Sequence, residues 1–566
     1  MMSITKKILI LTACIVVTVS PGFAAGPPAH AVASAHPLAT AAGVEILQQG
    51  GNAFDAAIAV SAALGVVEPY SSGFGGGGFW LVHRAGDGKQ VMIDARETAP
   101  GLAHARMYRD AQDNVIKDAS LKGPLAAGIP GLPAGLVHLA EHYGRLPLGQ
   151  SLAPAKRYAE QGFEVSSRYH QLAGFVAGSL RQNPAAAEIF LQDGRPPRIG
   201  YLVRQQELAA TIDAIAKQGR DGFYRGPVAE TMVRESRKYG GVWSLKDLEA
   251  YRVVEREPIV THYRGAKIVS APPPSSGGIV MAQALQILET FDLDGMSNVQ
   301  RKHHIIEAMR RAFRDRAVFL GDPDFVDVPV ARLLDRSYLE GLALTVDPSK
   351  ATPSDVIGGG PALQQTGTQT THFSVMDREG NRVAGTLSVN TLFGACFVAA
   401  GTGVLFNNEM DDFSIKPFTP NAYGLIGNEA NAIAPGKRPL SSMTPTFLEL
   451  PDRVGIVGTP GGSRIISMVL LAALDFVDGR LPESWVALRR FHHQYEPDQV
   501  QFELHGLTEF EQQRLAGLGH ELREISRRYG NMQAILWDKT ENRVHSASDP
   551  RGEGLAVVVP AEAGTQ

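Results

Sequence analysis

Apolar residues recur at every second position on either side of a short polar stretch near residue 380. Phe373, Val375, Val383, Leu387 and Val389 are odd-numbered, whereas Thr370, His372, Ser374, Thr386, Ser388 and Asn390 are even; Asp377-Arg378-Glu379-Gly380-Asn381 separates the two runs. This period of two predicts an antiparallel hairpin with a turn of about five residues. Pairing Met376 with Arg382 then sets Thr370 opposite Ser388, with Asn390 diagonal to it, all on the polar face. A slip of one residue would send them to opposite faces.

Elsewhere the pattern is mostly helical. Residues 39–49 are amphipathic and end at Gly50-Gly51-Asn52, and residues 53–67 form an Ala-rich stretch small enough on all sides to be a buried helix beside the first. Gly128-Ile129-Pro130-Gly131-Leu132-Pro133 leads into a helix through His142, and Pro272-Pro273-Pro274-Ser275-Ser276-Gly277-Gly278 into another through Phe291. Both leaders are expected to be structural turns. A basic helix over residues 298–320 carries His303-His304 and many arginines and is expected to present a solvated face. Adjacent helical positions point about 100° apart, so the histidine pair is no metal site, and His492-His493 has no third ligand at metal spacing.

The segment Ser71-Ser72-Gly73-Phe74-Gly75-Gly76-Gly77-Gly78 contains Gly-x-Gly-x-x-Gly, but Phe79-Trp80-Leu81-Val82-His83 follows it as a strand. A pyrophosphate needs a helix N-terminus there, so no nucleotide is expected. Length of 566, 44% hydrophobic residues and a net charge of −4 indicate a large core and give no reason to expect nucleic acid as a partner. Lys6 and Lys7, an apolar run over residues 8–19 and Pro21-Gly22-Phe23-Ala24-Ala25 read as a secretory signal over 1–25, too short to span a bilayer. Leu11-Thr12-Ala13-Cys14 resembles a lipoprotein box, yet the apolar run continues past Cys14, which favours a periplasmic or secreted protein over a lipid-anchored one. Without that segment Cys396 is the only cysteine, so no internal disulfide can form.

Thr370-Thr371-His372 follows the loose stretch at 358–369 and opens the first strand of the hairpin. A cut between Gln369 and Thr370 would make Thr370 a chain start, where its hydroxyl can attack a carbonyl and its own α-amine, with a pKa of roughly 8, serves as base. About a tenth of such an amine is free base at neutral pH. On these three residues alone, a β-branched strand start is the commoner meaning.

Ordered motifs carry a resemblance across most of the chain, from about residue 39 to 551. They are Gly-Gly-Asn-Ala at 50–53, Gly-Phe-Gly-Gly-Gly-Gly-Phe at 73–79, Arg96-Glu97-Thr98-Ala99-Pro100, Thr370-Thr371-His372, Asn407-Asn408-Glu409-Met410-Asp411-Asp412-Phe413, Lys437-Arg438-Pro439-Leu440-Ser441-Ser442-Met443 and Gly458-Thr459-Pro460-Gly461-Gly462-Ser463-Arg464. With these the chain resembles the γ-glutamyltranspeptidases, a family of N-terminal nucleophile hydrolases. The resemblance implies a four-layer αββα sandwich built from a large subunit, 26–369, and a small subunit, 370–566, which remain together as a heterodimer. It implies Thr370 as nucleophile and attack on glutathione or another γ-glutamyl compound. The γ-glutamyl ester would pass to water or to an amino acid or dipeptide acceptor. No cofactor and no metal are implied.

The same resemblance assigns roles by position. Arg96 would hold the donor's α-carboxylate with help from Ser441 and Ser442, and Asp412, Asn390 and Glu409 its α-ammonium. Gly461 and Gly462 would offer N–H groups to the oxyanion, and Tyr423, in the Pro-rich stretch 417–439, would belong to a lid. Without the family, Asp411-Asp412 could equally be a helix cap and Gly461-Gly462 a plain turn. Ser388 stands where the family often has threonine, which keeps the hydroxyl with a freer rotamer. Two alternatives share the pattern in part: a glutaryl-β-lactam acylase or poly-γ-glutamate hydrolase, and an uncleaved γ-glutamyl-binding protein.

Overall fold

The computed structural model describes residues 26–358, 370–417 and 419–560. The signal segment with Cys14, and Gln369 with most of the stretch before it, lie outside the described residues.

Two antiparallel sheets occupy the centre. The first runs in the order Leu555–Pro560, Ala29–Ser34, Thr371–Met376, Arg382–Ser388, Gly77–Arg84, Lys89–Ala95, Val254–Arg256. The second runs Arg543–Ser548, Gln533–Asp538, Arg453–Gly458, Thr446–Leu450, Ala266–Ser270, Ile259–Tyr263. Helices cover the outer face of each sheet, giving an αββα sandwich with one apolar core under the first helical layer and another spanning the sheet interface and the second layer. Alternation explains the layering: Phe373, Val375, Val383 and Leu387 point to the first core, and Met376 and Ala384 to the second.

The hairpin has the expected register. Met376 pairs with Arg382 and Thr371 with Leu387, so the next step brings Thr370 opposite Ser388. Its turn is fixed by the Asp377 carboxylate, which accepts from Glu379 N, Asn381 N and Asn381 Nδ2, and from Ala53 N at the start of the Ala-rich helix. That helix, Ala53–Val67, is buried at every position and begins with a capping box between Asn52 and Asp55. The amphipathic helix before it, Pro37–Gln48, packs alongside. The 73–78 glycine run leads into a strand, as expected.

The basic helix departs from expectation. Over Asn298–Phe319 it has no solvated arginine face; His303, His304, Glu307, Arg310, Arg311, Asp315 and Arg316 are all buried. Its charges are met inside: Glu307 accepts from Arg310 Nε at 3.1 Å and from Arg311 Nη1 at 2.7 Å, Arg310 also pairs with Asp498, and Arg311 Nη2 reaches Thr345 O at 2.7 Å. Paired and hydrogen-bonded charges can be buried where single ones cannot.

Candidate active site

Thr370, Ser388 and Asn390 meet Arg96, Asp412, Tyr423, Ser441, Ser442 and Gly462 around one cavity where the hairpin end faces the second sheet. Different parts of the fold deliver them. Ser388 ends its strand, and its Oγ accepts from Asn390 N at 2.7 Å. Asn390 has φ +73, a left-handed conformation that asparagine tolerates better than most residues, and its Nδ2 donates to Asn408 O at 2.9 Å. Ser441 and Ser442 are held by the 272–278 turn: Ser441 N donates to Pro274 O, and Ser276 N and Oγ donate to Ser441 O. That leader therefore positions the site as well as starting a helix.

Arg96 is fully buried. Its Nη1 is 2.6 Å from Glu409 and its Nη2 2.5 Å from Asp412, with Glu97 at 3.6 Å. Three acidic groups thus surround one guanidinium. Burial works against the Arg96 charge, but Glu409 and Asp412 outweigh it and raise its pKa. Burial, followed by repulsion from Glu409, pushes Glu97 well above the usual carboxylate range. Burial likewise raises Glu409, opposed by Arg96. Both Glu97 oxygens and Glu409 Oε1 are buried without a hydrogen-bond partner among the described residues. The acid that lines the cavity is Asp412; Glu409 is fully buried against Arg96 and next to Ser388. Its neighbour Asp411 faces away, bonded to Ser120 Oγ and Ala422 N.

Two cations border the cavity. Sequence reasoning named Arg96 and missed Arg316, which donates from Nε to Ser276 Oγ at 3.0 Å and from Nη2 to Ser442 Oγ at 3.4 Å. Burial lowers its pKa to about 10, with Asp412 acting in the opposite sense. No motif pointed to Arg316, because its role depends on a long-range meeting of helix and serine pair. His372, next to the nucleophile candidate, is buried between the sheets and lowered to about 3 by that burial; it bonds Thr386 Oγ1 at 2.8 Å and is neutral.

The glycine pair forms the turn before the helix Arg464–Val477. Gly462 lines the cavity at φ +58, and a Cβ there would come within 2.5 Å of the Tyr423 ring. Gly461 lies on the other side of the turn, facing a separate groove. Among the described residues no acceptor takes the N–H of Gly461, Gly462 or Ser463. Tyr423 closes the cavity from above: its hydroxyl donates to Asn390 O at 2.6 Å, and Gln494 Nε2 ties the next residue, Gly424, at 3.0 Å. The open space left is about 20 Å³, room for roughly one water.

One metal-like group exists among the described residues: His303, Glu307 and His520, whose ligand atoms lie within 4.8 Å of one another. Sequence spacing missed it because His520 is remote. Glu307 is committed to Arg310 and Arg311, and His303 Nδ1 bonds His520 Nε2 at 2.8 Å, so the group is read as part of the buried charge network.

The family model described as gamma-glutamyltranspeptidase matches residues 39–559. The glutathione hydrolase proenzyme of a Pseudomonas species (strain A14) is 41% identical, over 93% of this chain and 93% of its own. A crystal structure of cephalosporin acylase from Bacillus halodurans superposes with a TM-score of 0.83 at 29% identity, covering 97% of this chain and 99% of that one. The Helicobacter pylori gamma-glutamyltranspeptidase structure is 40% identical with a TM-score of 0.56, covering 57% of this chain and 93% of that one.

Proposed function

The chain belongs to the γ-glutamyltranspeptidase family, and from that premise we propose that it is a self-processing γ-glutamyltransferase and glutathione hydrolase. The observation that carries the reading is the convergence of Thr370 and Ser388 with an Arg96–Asp412 pair, two serines and a glycine turn with free N–H groups around one cavity.

In the precursor, the Thr370 hydroxyl attacks the carbonyl of Gln369, and water opens the resulting ester, leaving chains 26–369 and 370–566. Thr370 then carries a free α-amine, which takes the hydroxyl proton as Oγ1 attacks the γ-carbonyl of the donor. The tetrahedral oxyanion is met by N–H groups of the Gly461-Gly462 turn, donors worth roughly a hundred- to thousand-fold in rate by analogy. The amine leaves with a proton, and the ester is resolved by water or by an amino acid or dipeptide. Ser388, across the hairpin, offers a hydroxyl to the nucleophile.

Asp412, with Asn390 and Glu409, suits the donor's ammonium, while Arg96, Arg316, Ser441 and Ser442 suit its α-carboxylate. A glutaryl donor lacks the ammonium and would leave the acidic excess unmatched, which places the acylase reading second. The pattern over residues 1–25 supports export to the periplasm or beyond, and no helix among the described residues is long and apolar enough to cross a membrane.

The test is the intact mass of the wild type beside Thr370→Ala, followed by a γ-glutamyl anilide assay. Two fragments from the wild type, the smaller beginning at Thr370, and one inactive uncut chain from the variant are expected. An uncut wild type, or a cut that persists in the variant, would leave only a binding role.

A further inference from the structure

The strand Arg382–Ser388 delivers a polar side chain to a cavity at each of its ends. Ser388 lines the donor cavity. Arg382, on the same strand face and about 20 Å away along it, lines a larger cavity of about 550 Å³ where the 377–381 turn meets the second sheet. The walls of that cavity come from both sides of residue 370: His83 and Lys267 precede it, and Arg382, Glu449, Trp537 and Lys539 follow it.

We propose that this second cavity is a site for a small polyanion, of the phosphate or polycarboxylate kind, held by Arg382, Lys267 and Lys539 at the seam between the two parts of the chain. The site lies outside the donor cavity, and the inference does not depend on the γ-glutamyl reading.

The charges there are unequal. Arg382, Lys267 and Lys539 face one carboxylate, Glu449, whose Oε1 accepts from Arg382 Nη2 at 2.8 Å and from Gln90 Nε2 at 2.7 Å, while Lys267 Nζ lies 3.3 Å from its Oε2. The other acid on the walls, Glu379, is exposed and paired with Arg145 at 2.7 Å. Lys539 has no carboxylate at ion-pair distance among the described residues; its Nζ is 5.4 Å from the Trp537 ring and 3.5 Å from Pro451 O. Arg382 is the most telling group. It is 6% exposed, yet its Nε and Nη1 have no hydrogen-bond partner among the described residues, and neither do Trp537 Nε1 and His83 Nδ1 on the same walls. A buried guanidinium offers its donors in a fixed fork that matches an oxyanion, and leaving them unpaired is costly. Burial first and Arg382 second lower both His83, to about 4, and Lys539, so His83 is neutral and the local field is positive. Such a concave, cation-rich site concentrates anions. Since its walls belong to both parts of the chain, a bound anion stabilises their association by mass action.

The experiment titrates the cleaved wild type with sodium phosphate by isothermal calorimetry at constant ionic strength and follows its urea midpoint at the same concentrations, with citrate in a parallel series. The comparison proteins are Lys267→Gln combined with Lys539→Gln, which removes two partly exposed cations, and Lys539→Arg, which keeps the charge. The wild type should bind phosphate or citrate saturably and rise in urea midpoint, the double variant should bind at least about tenfold more weakly, and Lys539→Arg should bind like the wild type. The tighter of the two anions identifies the ligand chemistry. The double variant should stay within about twofold of the wild type in kcat/KM on γ-glutamyl-p-nitroanilide, as expected for independent sites. Equal binding by wild type and double variant, no saturable binding of either anion, or an anion displaced by a γ-glutamyl donor overturns the site. So does a midpoint that rises equally in both proteins, which is the mark of solute exclusion alone. A wild type inactive on every γ-glutamyl donor overturns the proposed activity and leaves the calorimetric result to decide the site by itself.

Discussion

Glu409 sits in a site where its charge is only partly compensated. Arg96 is 2.6 Å away, but Asp412 shares that guanidinium, and burial raises the pKa of the carboxyl. An incoming ammonium would be favoured by the ionised form. As pH falls from neutrality, Glu409 takes up a proton earlier than an ordinary glutamate, so donor KM should rise on the acid side. Glu97 is raised in the same direction, by burial and then by the Glu409 charge. Stability runs the other way: a raised native pKa contributes stability in acid that is lost as pH rises through it. Glu409→Gln should remove the acid-side rise in KM while leaving kcat largely unchanged, read from pH profiles of kcat and KM on one donor. An unaltered acid limb would assign the titration to another group. At this scale the sequence was informative where contacts are local. Thr370 and Ser388 could be paired by counting from a turn, whereas Arg316 could not, since nothing near it in sequence says that it will meet Ser442.

Strand and helix periods were legible wherever one face or all faces of an element are apolar. The hairpin register and the Ala-rich helix were both recovered to the residue. The basic helix was misread because its pattern is that of a solvated element, and only the tertiary partners of Arg310 and Arg311 reveal why it is buried. The hairpin also shows how an element is tied to its neighbours. Asp377 accepts from two backbone N–H groups and one side-chain amide of its own turn, and from Ala53 N of the adjacent helix. Asp377→Ala leaves those buried donors without a partner, which should cost about 2–3 kcal/mol in denaturant unfolding of the cleaved protein. The register should loosen with it, so cleavage should slow in the same variant. Normal stability with slow cleavage would mean that the turn acts on Thr370 by some route other than holding the hairpin.

The layered architecture itself came from the motif resemblance; no local period announces which strand will lie beside which when neighbours are hundreds of residues apart. The observed sheet order makes the consequence of cleavage at Thr370 specific. In the first sheet Ala29–Ser34, from the large part, lies between Leu555–Pro560 and Thr371–Met376 of the small part, and Gly77–Arg84 pairs with Arg382–Ser388. In the second, Ala266–Ser270 pairs with Thr446–Leu450. Separation would therefore break backbone ladders in both sheets and expose both cores. Residues 351–354 of the large part are held too: Ala351 N donates to Leu518 O, Ser354 N to Asp498 and Ser354 Oγ to Tyr495 O. The two fragments should accordingly migrate as one particle in size-exclusion chromatography, run apart only on a denaturing gel, and lose association and activity together over one urea transition. Fragments that separate under native conditions, or activity lost well before they part, would mean that the interleaved sheets do not hold the cleaved molecule together.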